Sequence, residues 1–386
     1  MEAVARATLA RVDTLVARFG AGRFDTLYVG GGTPSVLDRD TLRFLLRGLA
    51  RRAAAGAEWT VEANPESIDE DFLSILEDEG VTRISIGVQT LDEGRLAELG
   101  RPAGAAAAMA SLRLAARRRL RLSADLIAGF SREKGLAEEA RILAEEGCGH
   151  LSIYDLTLEE GTSLERRHRR GDFGMEDEDR ASDEREAAEE GLAALGLRRY
   201  EVSNYAIPGM ESAHNLVYWR MGSWLGAGPG ASGTLVRRPG DGAPRRPGDM
   251  TPRLGIDGGA LRIDEVRSPE AYAAGDAAAT AVESEVNPFD SAFEVMMMAF
   301  RTTEGLDAGA FAARFGVEAE ALVGQSLAKW GARLRREGSR LALDGRGLDL
   351  LNSFLSDCLA EMEGTFPRSG SLDPASRELR GTAPRD

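Results

Sequence analysis

Short apolar, β-rich runs alternate with helical patterns over the first 160 or so residues of the chain. Each run ends at a glycine, proline or polar turn, and a segment with apolar residues at helical spacing follows it. This alternation predicts a parallel sheet, either open or closed as a barrel. The predicted strands cover residues 26–29, 59–62, 83–88, 121–127 and 150–156. The predicted helices cover residues 38–55, 69–79, 92–99, 105–118 and 135–146.

The predicted strands end in residues that suit a ligand site. The first strand runs into Gly30-Gly31-Gly32-Thr33-Pro34, where backbone without side chains can approach a ligand closely. The later strands end at Glu62, Gln89, Asp125 and Asp155. Because the carboxyl ends of barrel strands converge on one face, we expect one pocket there. Taken singly, each of these polar residues could instead cap a turn or satisfy loop backbone.

The pattern changes after residue 160, and it divides the chain into four parts. A charge-dense stretch, 165–190, predicts a loop and an exposed helix, and 199–206 predicts a further strand and turn. We expect residues 1–235 to form the barrel and its extension. Residues 236–283 read as a Pro/Gly-rich insertion and linker, and residues 366–386 as a disordered tail. Between them, residues 284–365 predict helices and a hairpin, an arrangement typical of a winged-helix-like module.

Charge and composition exclude several function classes. The formal net charge of −15 argues against a nucleic-acid-binding surface. No window approaches the roughly 20 apolar residues of a membrane span, and the first helix lacks the apolar core of a signal peptide, so we expect a cytoplasmic protein. The sequence has two cysteines, Cys148 and Cys358, which excludes a disulfide scaffold and a CxxC-type metal cluster within it.

His214-Asn-x-x-Tyr218-Trp219 is a second candidate site. A histidine followed by two large aromatic residues could be an axial ligand of haem iron beside flat walls for the macrocycle. The same residues could equally be a core histidine bonded to a carbonyl, with both aromatic side chains packed on the barrel.

Five separate motifs, in order, carry a resemblance to a known family. They resemble the radical S-adenosylmethionine (SAM) family of oxygen-independent coproporphyrinogen III oxidases, and most closely its HemW-like haem-chaperone branch. The motifs are Gly-Gly-Gly-Thr-Pro-Ser at 30–35, Val-Glu-Ala-Asn-Pro at 61–65, Ser-Ile-Gly-Val-Gln at 85–89, Ala-Asp-Leu-Ile-Ala-Gly at 124–129 and His-Leu-Ser-Ile-Tyr at 150–154.

The resemblance implies an α/β fold, a partial (β/α)6 barrel with SAM across the strand ends, and a winged-helix-like module at the C-terminal end. The residues implied at the methionine end of SAM are Gly31, Gly32 and Thr33, and those implied around the rest of it are Glu62, Gln89, Arg101 and Asp125. The chemistry agrees, because an ammonium needs carbonyl or carboxylate acceptors, a carboxylate suits an arginine, and ribose hydroxyls suit polar groups.

The resemblance extends to the second candidate site, where His214, Tyr218 and Trp219 match the HNxxYW signature of the haem-chaperone branch. This implies that haem binds there and passes to an acceptor haemoprotein. In the following loop the family usually has a histidine where this chain has Ser232.

The sequence departs from the family in one further respect. Radical SAM proteins hold a 4Fe–4S cluster through three cysteines in a CxxxCxxC loop after the first barrel strand. This sequence begins in the helix that follows that loop, and neither cysteine can complete such a site. We therefore expect that the first strand and the cluster loop were lost through a wrongly assigned start or a truncated gene, or that the chain is a degenerate member.

Three functions follow from these observations. The first is a haem chaperone of the radical SAM type. The second is an oxygen-independent coproporphyrinogen III oxidase, which decarboxylates two propionates oxidatively. The third is a catalytically inert SAM-binding relic.

Overall fold

The computed structural model describes residues 1–129, 135–175, 178–236, 259–275 and 281–365. These residues form two compact units, one comprising residues up to 236 together with 259–287, and the other comprising residues 288–365. Residues 237–258 of the predicted insertion, and the predicted tail 366–386, lie outside the described residues.

The first unit is built on strands and helices that alternate along the chain. Its strands are β1 (Phe24–Val29), β2 (Ala53–Ala63), β3 (Arg83–Gln89), β4 (Arg121–Ala128), β5 (His150–Asp155), β6 (Arg198–Arg199), β7 (Asn204–Ala206), β8 (Ser232–Val236), β9 (Ala260–Asp264) and β10 (Val282–Val286). Its helices are α1 (Glu2–Phe19), α2 (Arg39–Ala50), α3 (Glu70–Glu79), α4 (Glu93–Glu98), α5 (Ala105–Ala115), α6 (Leu136–Glu145), α7 (Ser163–Arg169), α8 (Glu178–Ala194), α9 (Ala213–Trp219) and α10 (Pro269–Ala274).

Seven strands form one curled half-barrel sheet in the order β1-β2-β3-β4-β5-β7-β6. Strands β1 to β5 are parallel neighbours in chain order, and β7 and β6 continue the sheet in antiparallel pairs. The α/β class and the partial barrel predicted from the sequence are therefore confirmed. Strand β1 lies at one edge of this sheet.

The alternation of side chains along each strand separates an apolar face from a polar face. Alternate residues such as Ile84 and Ile86 of β3 are fully buried in the main hydrophobic core, together with apolar side chains of the helices. The intervening residues are polar, for example Ser85 in β3 and Ser123 in β4. The inner face of the half-barrel can therefore bind polar ligands, and the outer face holds the helices.

Local sequence signals fix several helix ends. In the first unit, three helices begin after an aspartate whose side chain accepts a hydrogen bond from a backbone N–H of the first turn: Asp38 before α2, Asp69 before α3 and Asp92 before α4. Helix α3 ends at Gly80, whose φ of 90° is in the left-handed region that glycine adopts without strain.

One predicted helix is too long. The sequence predicts a helix over 38–55, but α2 ends at Ala50 and β2 already begins at Ala53. Alanines favour helices in isolation, but here Ala53 pairs with Phe24 of β1, and Phe24 N donates to the carbonyl of Arg52. Pairing with the neighbouring strand therefore overrides the local helix propensity.

A second sheet occupies part of the range predicted as insertion and linker. Strands β8, β9 and β10 form an antiparallel sheet with β9 in the centre, and α10 lies between β9 and β10 in the chain. The buried carboxylate of Glu265, just after β9, accepts a 2.7 Å hydrogen bond from Arg11 of α1. Residues 259–275 and 281–286 are thus ordered elements of the first unit, which corrects the linker prediction there.

The second unit confirms the predicted small helical domain with a hairpin. Its elements are α11 (Pro288–Ala299), β11 (Leu306–Asp307), α12 (Ala308–Phe315), α13 (Ala319–Lys329), β12 (Leu334–Glu337), β13 (Arg340–Leu343), α14 (Gly345–Asp349) and α15 (Leu351–Thr365). Helix α13 ends at Lys329, and residues 334–337 pair with β13 in the hairpin.

Candidate functional site

The glycine loop after β1 is held by a carboxylate of the neighbouring strand. Glu62 of β2 accepts hydrogen bonds from Gly31 N at 3.1 Å and from the hydroxyl of Tyr28 at 2.5 Å. A Cβ added to Gly30 would lie 2.5 Å from Cδ of Glu62, and Gly31 has a φ of 78°. A side chain at position 30 would therefore displace the Glu62 carboxylate or the Tyr28 ring, and position 31 has a backbone conformation that favours glycine.

Asn64 connects the other end of this loop to an arginine. Its side-chain amide donates to Thr33 Oγ1 at 3.5 Å, and its Oδ1 accepts from Arg101 Nη1 at 3.1 Å. Two predicted site residues, Thr33 and Arg101, are thus brought together through Asn64. Asn64 belongs to the Val-Glu-Ala-Asn-Pro motif, but its contacts with Thr33 and Arg101 were not predicted from the sequence.

Gln89 ends β3 in an unusual backbone conformation. Its φ is 69°, in the left-handed region that is uncommon for residues other than glycine, and the register with β4 shifts between Ile86 and Gln89. A Cβ added to Gly87 would lie 2.9 Å from Gln89 Nε2. The bulge and the missing side chain at position 87 together leave room for the Gln89 amide beside the strand ends.

Asp125 of β4 lies in the same group of strand ends. It accepts a hydrogen bond from Ser85 Oγ at 3.2 Å. Burial, assisted by the negative charge of Glu62, raises the pKa of this carboxyl to about 6 even though hydrogen bonds from Ser152 and Ser85 lower it. Asp125 therefore changes charge close to neutral pH.

Five of the seven residues predicted around SAM are linked by these contacts. Gly31 bonds to Glu62, Thr33 is linked to Arg101 through Asn64, and Asp125 feels the charges of both Glu62 and Arg101. The exceptions are Gln89, which lies at the end of β3, and Gly32, around which no described atom lies within 4 Å of an added Cβ. Asp155, at the end of β5, instead forms an ion pair with Arg185 of α8.

The second candidate site lies toward the amino-terminal half of β1. Helix α9 starts after Ser212, whose hydroxyl accepts from Asn215 N. Nδ1 of His214 lies 2.9 Å from Thr26 Oγ1 and its Nε2 lies 2.6 Å from the hydroxyl of Tyr218. Burial lowers the pKa of His214 to about 4, so the imidazole is neutral at physiological pH.

The aromatic residues of α9 differ in their surroundings. Tyr218 packs edge-on against Trp224, with ring centroids 4.8 Å apart. Nε1 of Trp219 is buried and has no hydrogen-bond partner within the part of the chain that the structure describes. Ser232, at the position where a family histidine was expected, is exposed and begins β8. Its carbonyl accepts from Trp224 Nε1 at 3.0 Å.

A buried ion pair, which was not predicted from the sequence, holds the backbone at the start of α9. Arg83 of β3 donates to Glu58 Oε2 at 2.8 Å, and both side chains are almost fully buried. The guanidinium also donates to the carbonyls of Met210 and Glu211, just before α9. Because Glu58 Oε1 accepts from His214 N at 3.1 Å, this pair fixes the start of the helix that carries the histidine.

The cysteines of this sequence do not fit an iron–sulfur cluster. Cys148 lies in the first unit and Cys358 in the second, both are buried and unpaired, and burial raises the pKa of both thiols. Among the described residues there is no group of three or more His, Cys, Asp or Glu side chains that could hold a metal ion. In the described part of the chain, no helix is long and apolar enough to cross a membrane.

Comparison with protein families identifies two regions. Residues 4–134 match the radical SAM superfamily, and residues 286–350 match the HemN C-terminal domain.

Comparison with individual proteins gives a consistent set of relatives. Heme chaperone HemW of Mycobacterium tuberculosis (strain ATCC 25618 / H37Rv) is 33% identical over 347 residues, which are 88% of this chain and 81% of that protein. Heme chaperone HemW of Escherichia coli (strain K12) is 35% identical over 303 residues, 76% of this chain and 72% of that protein. Among solved structures, coproporphyrinogen III oxidase (HemN) from Escherichia coli, described as a radical SAM enzyme, superposes with a TM-score of 0.69. It covers 92% of this chain and 81% of its own, and at 17% identity the likeness concerns the fold.

Proposed function

Because the chain belongs to the HemN-like family of radical SAM proteins, close to the heme chaperone HemW, we propose that it binds SAM and haem and delivers haem to an acceptor haemoprotein. The observation that carries this proposal is the pairing of the Gly31 amide with Glu62. It brings the glycine loop and a carboxylate together at the strand ends, and the neutral His214 of α9 contacts Thr26 of β1, the strand that leads into this loop.

SAM fits the polar strand ends by its chemistry. We assign its ammonium to the carboxylate of Glu62 and to the loop of Gly31, Gly32 and Thr33, because an ammonium donates to oxygen acceptors. We assign its carboxylate to Arg101, whose guanidinium suits that partner, and its ribose hydroxyls to Asp125 and Gln89. Bound SAM supplies a reducible sulfonium, but the two cysteines do not hold the family's cluster, so the proposal is limited to binding.

Haem is proposed as the cargo of the second site. A neutral imidazole is the form that binds iron, and the lowered pKa of His214 keeps it neutral. Its Nε2 is engaged by the Tyr218 hydroxyl, so this bond must open before Nε2 can approach iron. The proposed aromatic walls are Tyr218 and Trp219, whose indole N–H has no hydrogen-bond partner among the residues that the structure describes.

Titration with haemin, followed by the Soret absorbance, tests the haem site. The chain has three histidines, so His168→Ala is a matched control: its Nδ1 bonds to the Phe173 carbonyl, away from α9. We expect the wild type and His168→Ala to shift the Soret band and His214→Ala to lose the shift. No shift with the wild type, or an equal shift with His214→Ala, refutes the haem site.

The same preparations separate the alternative functions. A coproporphyrinogen III oxidase would decarboxylate its porphyrinogen substrate and would not need the His214 ligand. An inert relic would bind SAM in calorimetry and would show no Soret change with haemin. We also propose a cytoplasmic location, because both cysteines are free thiols, as is usual in a reducing compartment.

A further inference from the structure

Tyr28 of β1 lies between the two proposed sites. Its ring stacks on that of His214, with centroids 5.1 Å apart and planes inclined by 20°. Its hydroxyl donates to Glu62 Oε1 at 2.5 Å, and the other oxygen of Glu62 accepts from Gly31 N. A continuous set of contacts therefore joins the imidazole of the second site to the glycine loop of the first.

The contacts at both ends of Tyr28 are of kinds that respond to ligands. A hydrogen bond to a carboxylate is among the stronger interactions of a neutral donor, so it holds Glu62 in the orientation that meets Gly31. At the other end, Nε2 of His214 bonds to Tyr218 at 2.6 Å, and this nitrogen must leave Tyr218 to bind iron. If the imidazole of His214 turns, the Tyr28 ring that is stacked on it must move as well.

We propose that Tyr28 couples the two sites, so that haem on His214 and SAM at the strand ends each weaken the binding of the other. This inference rests on the proposed function. When the imidazole turns toward iron, the Tyr28 ring follows it and its hydroxyl leaves Glu62, which then no longer holds the glycine loop ready for SAM. By thermodynamic reciprocity, SAM disfavours the haem-bound position of His214 and so promotes release of the cargo.

Reciprocal titrations test the coupling in the full chain. Haemin is titrated by Soret absorbance with and without saturating SAM, and SAM is titrated by calorimetry with and without saturating haemin. Loss of one hydrogen bond to a carboxylate predicts that each Kd rises about tenfold in the presence of the other ligand. The two factors should be equal, because they report one coupling free energy.

Two tyrosine variants locate the coupling. Tyr28→Phe keeps the ring that stacks on His214 and removes the hydroxyl that bonds to Glu62. We expect it to bind both ligands with a coupling factor within about twofold of one. Tyr272→Phe is the control, because it also removes a tyrosine hydroxyl but Tyr272 lies buried on α10 and contributes to neither proposed site. We expect Tyr272→Phe to keep the tenfold factor.

The outcomes distinguish this inference from the function on which it rests. If the wild type binds both ligands but neither changes the Kd of the other, the coupling is refuted and the proposed function stands. Tighter binding in the reciprocal titrations, or full coupling in Tyr28→Phe, also refutes it. If haemin or SAM does not bind the wild type at all, both proposals fail. The wild-type titrations alone can refute the coupling, so it stays testable even if Tyr28→Phe does not fold.

Discussion

The charge of Asp125 should make SAM binding depend on pH. The pKa of this carboxyl is about 6, raised from 3.8 chiefly by burial, so it is ionised above pH 6 and protonated below it. The proposed ribose contacts are stronger with the ionised form, because a carboxylate accepts hydrogen bonds through both oxygens and with charge assistance. If only that form binds, the affinity is scaled by the ionised fraction, which is about 0.9 at pH 7 and about 0.1 at pH 5. SAM binding should therefore weaken about tenfold between these two values.

Calorimetric titration of SAM at pH 7, 6 and 5 measures this dependence. Asp125→Asn keeps the shape of the side chain and removes its titration, so we expect a weaker affinity at pH 7 and no tenfold change toward pH 5. The comparison is needed because another buried carboxyl, Glu201, has a pKa raised by burial to about 7. An unchanged wild-type Kd between pH 7 and 5, or an equal pH dependence in Asp125→Asn, would refute the assignment.

Three further predictions concern the loop, the buried ion pair and the histidine. Gly30→Ala should weaken SAM binding at least tenfold in calorimetry by displacing the carboxylate 2.5 Å from its new Cβ, whereas Gly22→Ala, which has open space, should not. Glu58→Ala should lower the free energy of unfolding by about 3 kcal/mol in urea titrations, since it leaves the buried Arg83 without its carboxylate; a loss below about 1 kcal/mol would contradict this. Tyr218→Phe should tighten haemin binding about fivefold, because one hydrogen bond no longer competes for the imidazole; unchanged or weaker binding would count against Nε2 as the ligand.

The haem proposal also has a pH test of its own. A histidine with the ordinary pKa of 6.5 would lose about fourfold in iron affinity between pH 8 and pH 6, because most of it is protonated at pH 6. With a pKa of about 4, His214 stays neutral over this range, and haemin affinity should change less than twofold through this group. Soret titrations at the two pH values measure the difference, and a fourfold loss would show that the imidazole is not shielded in this way.

Local patterns in the sequence predicted a parallel sheet with polar residues at its strand ends, and the resemblance to the radical SAM family implied that this sheet is a partial barrel. The pattern suffices for the sheet because strands alternating with helices favour parallel neighbours, and parallel strands bring their carboxyl ends to one edge. Local preference failed where another strand competed for the chain. The alanine-rich residues after α2 join β2 because Ala53 pairs with Phe24, a partner far away in the sequence.

Which side chains come into contact depends on how the strands and helices pack together. Tyr28 and Glu62 lie on different strands, and only the register that places Tyr28 opposite Thr60 brings the hydroxyl within 2.5 Å of the carboxylate. The stacking of His214 on Tyr28 likewise joins residues that are widely separated in the chain. Residue types and spacing indicate the chemistry that a chain carries, but they contain no register and no rotamers, so they could not reveal that the two proposed sites share one tyrosine.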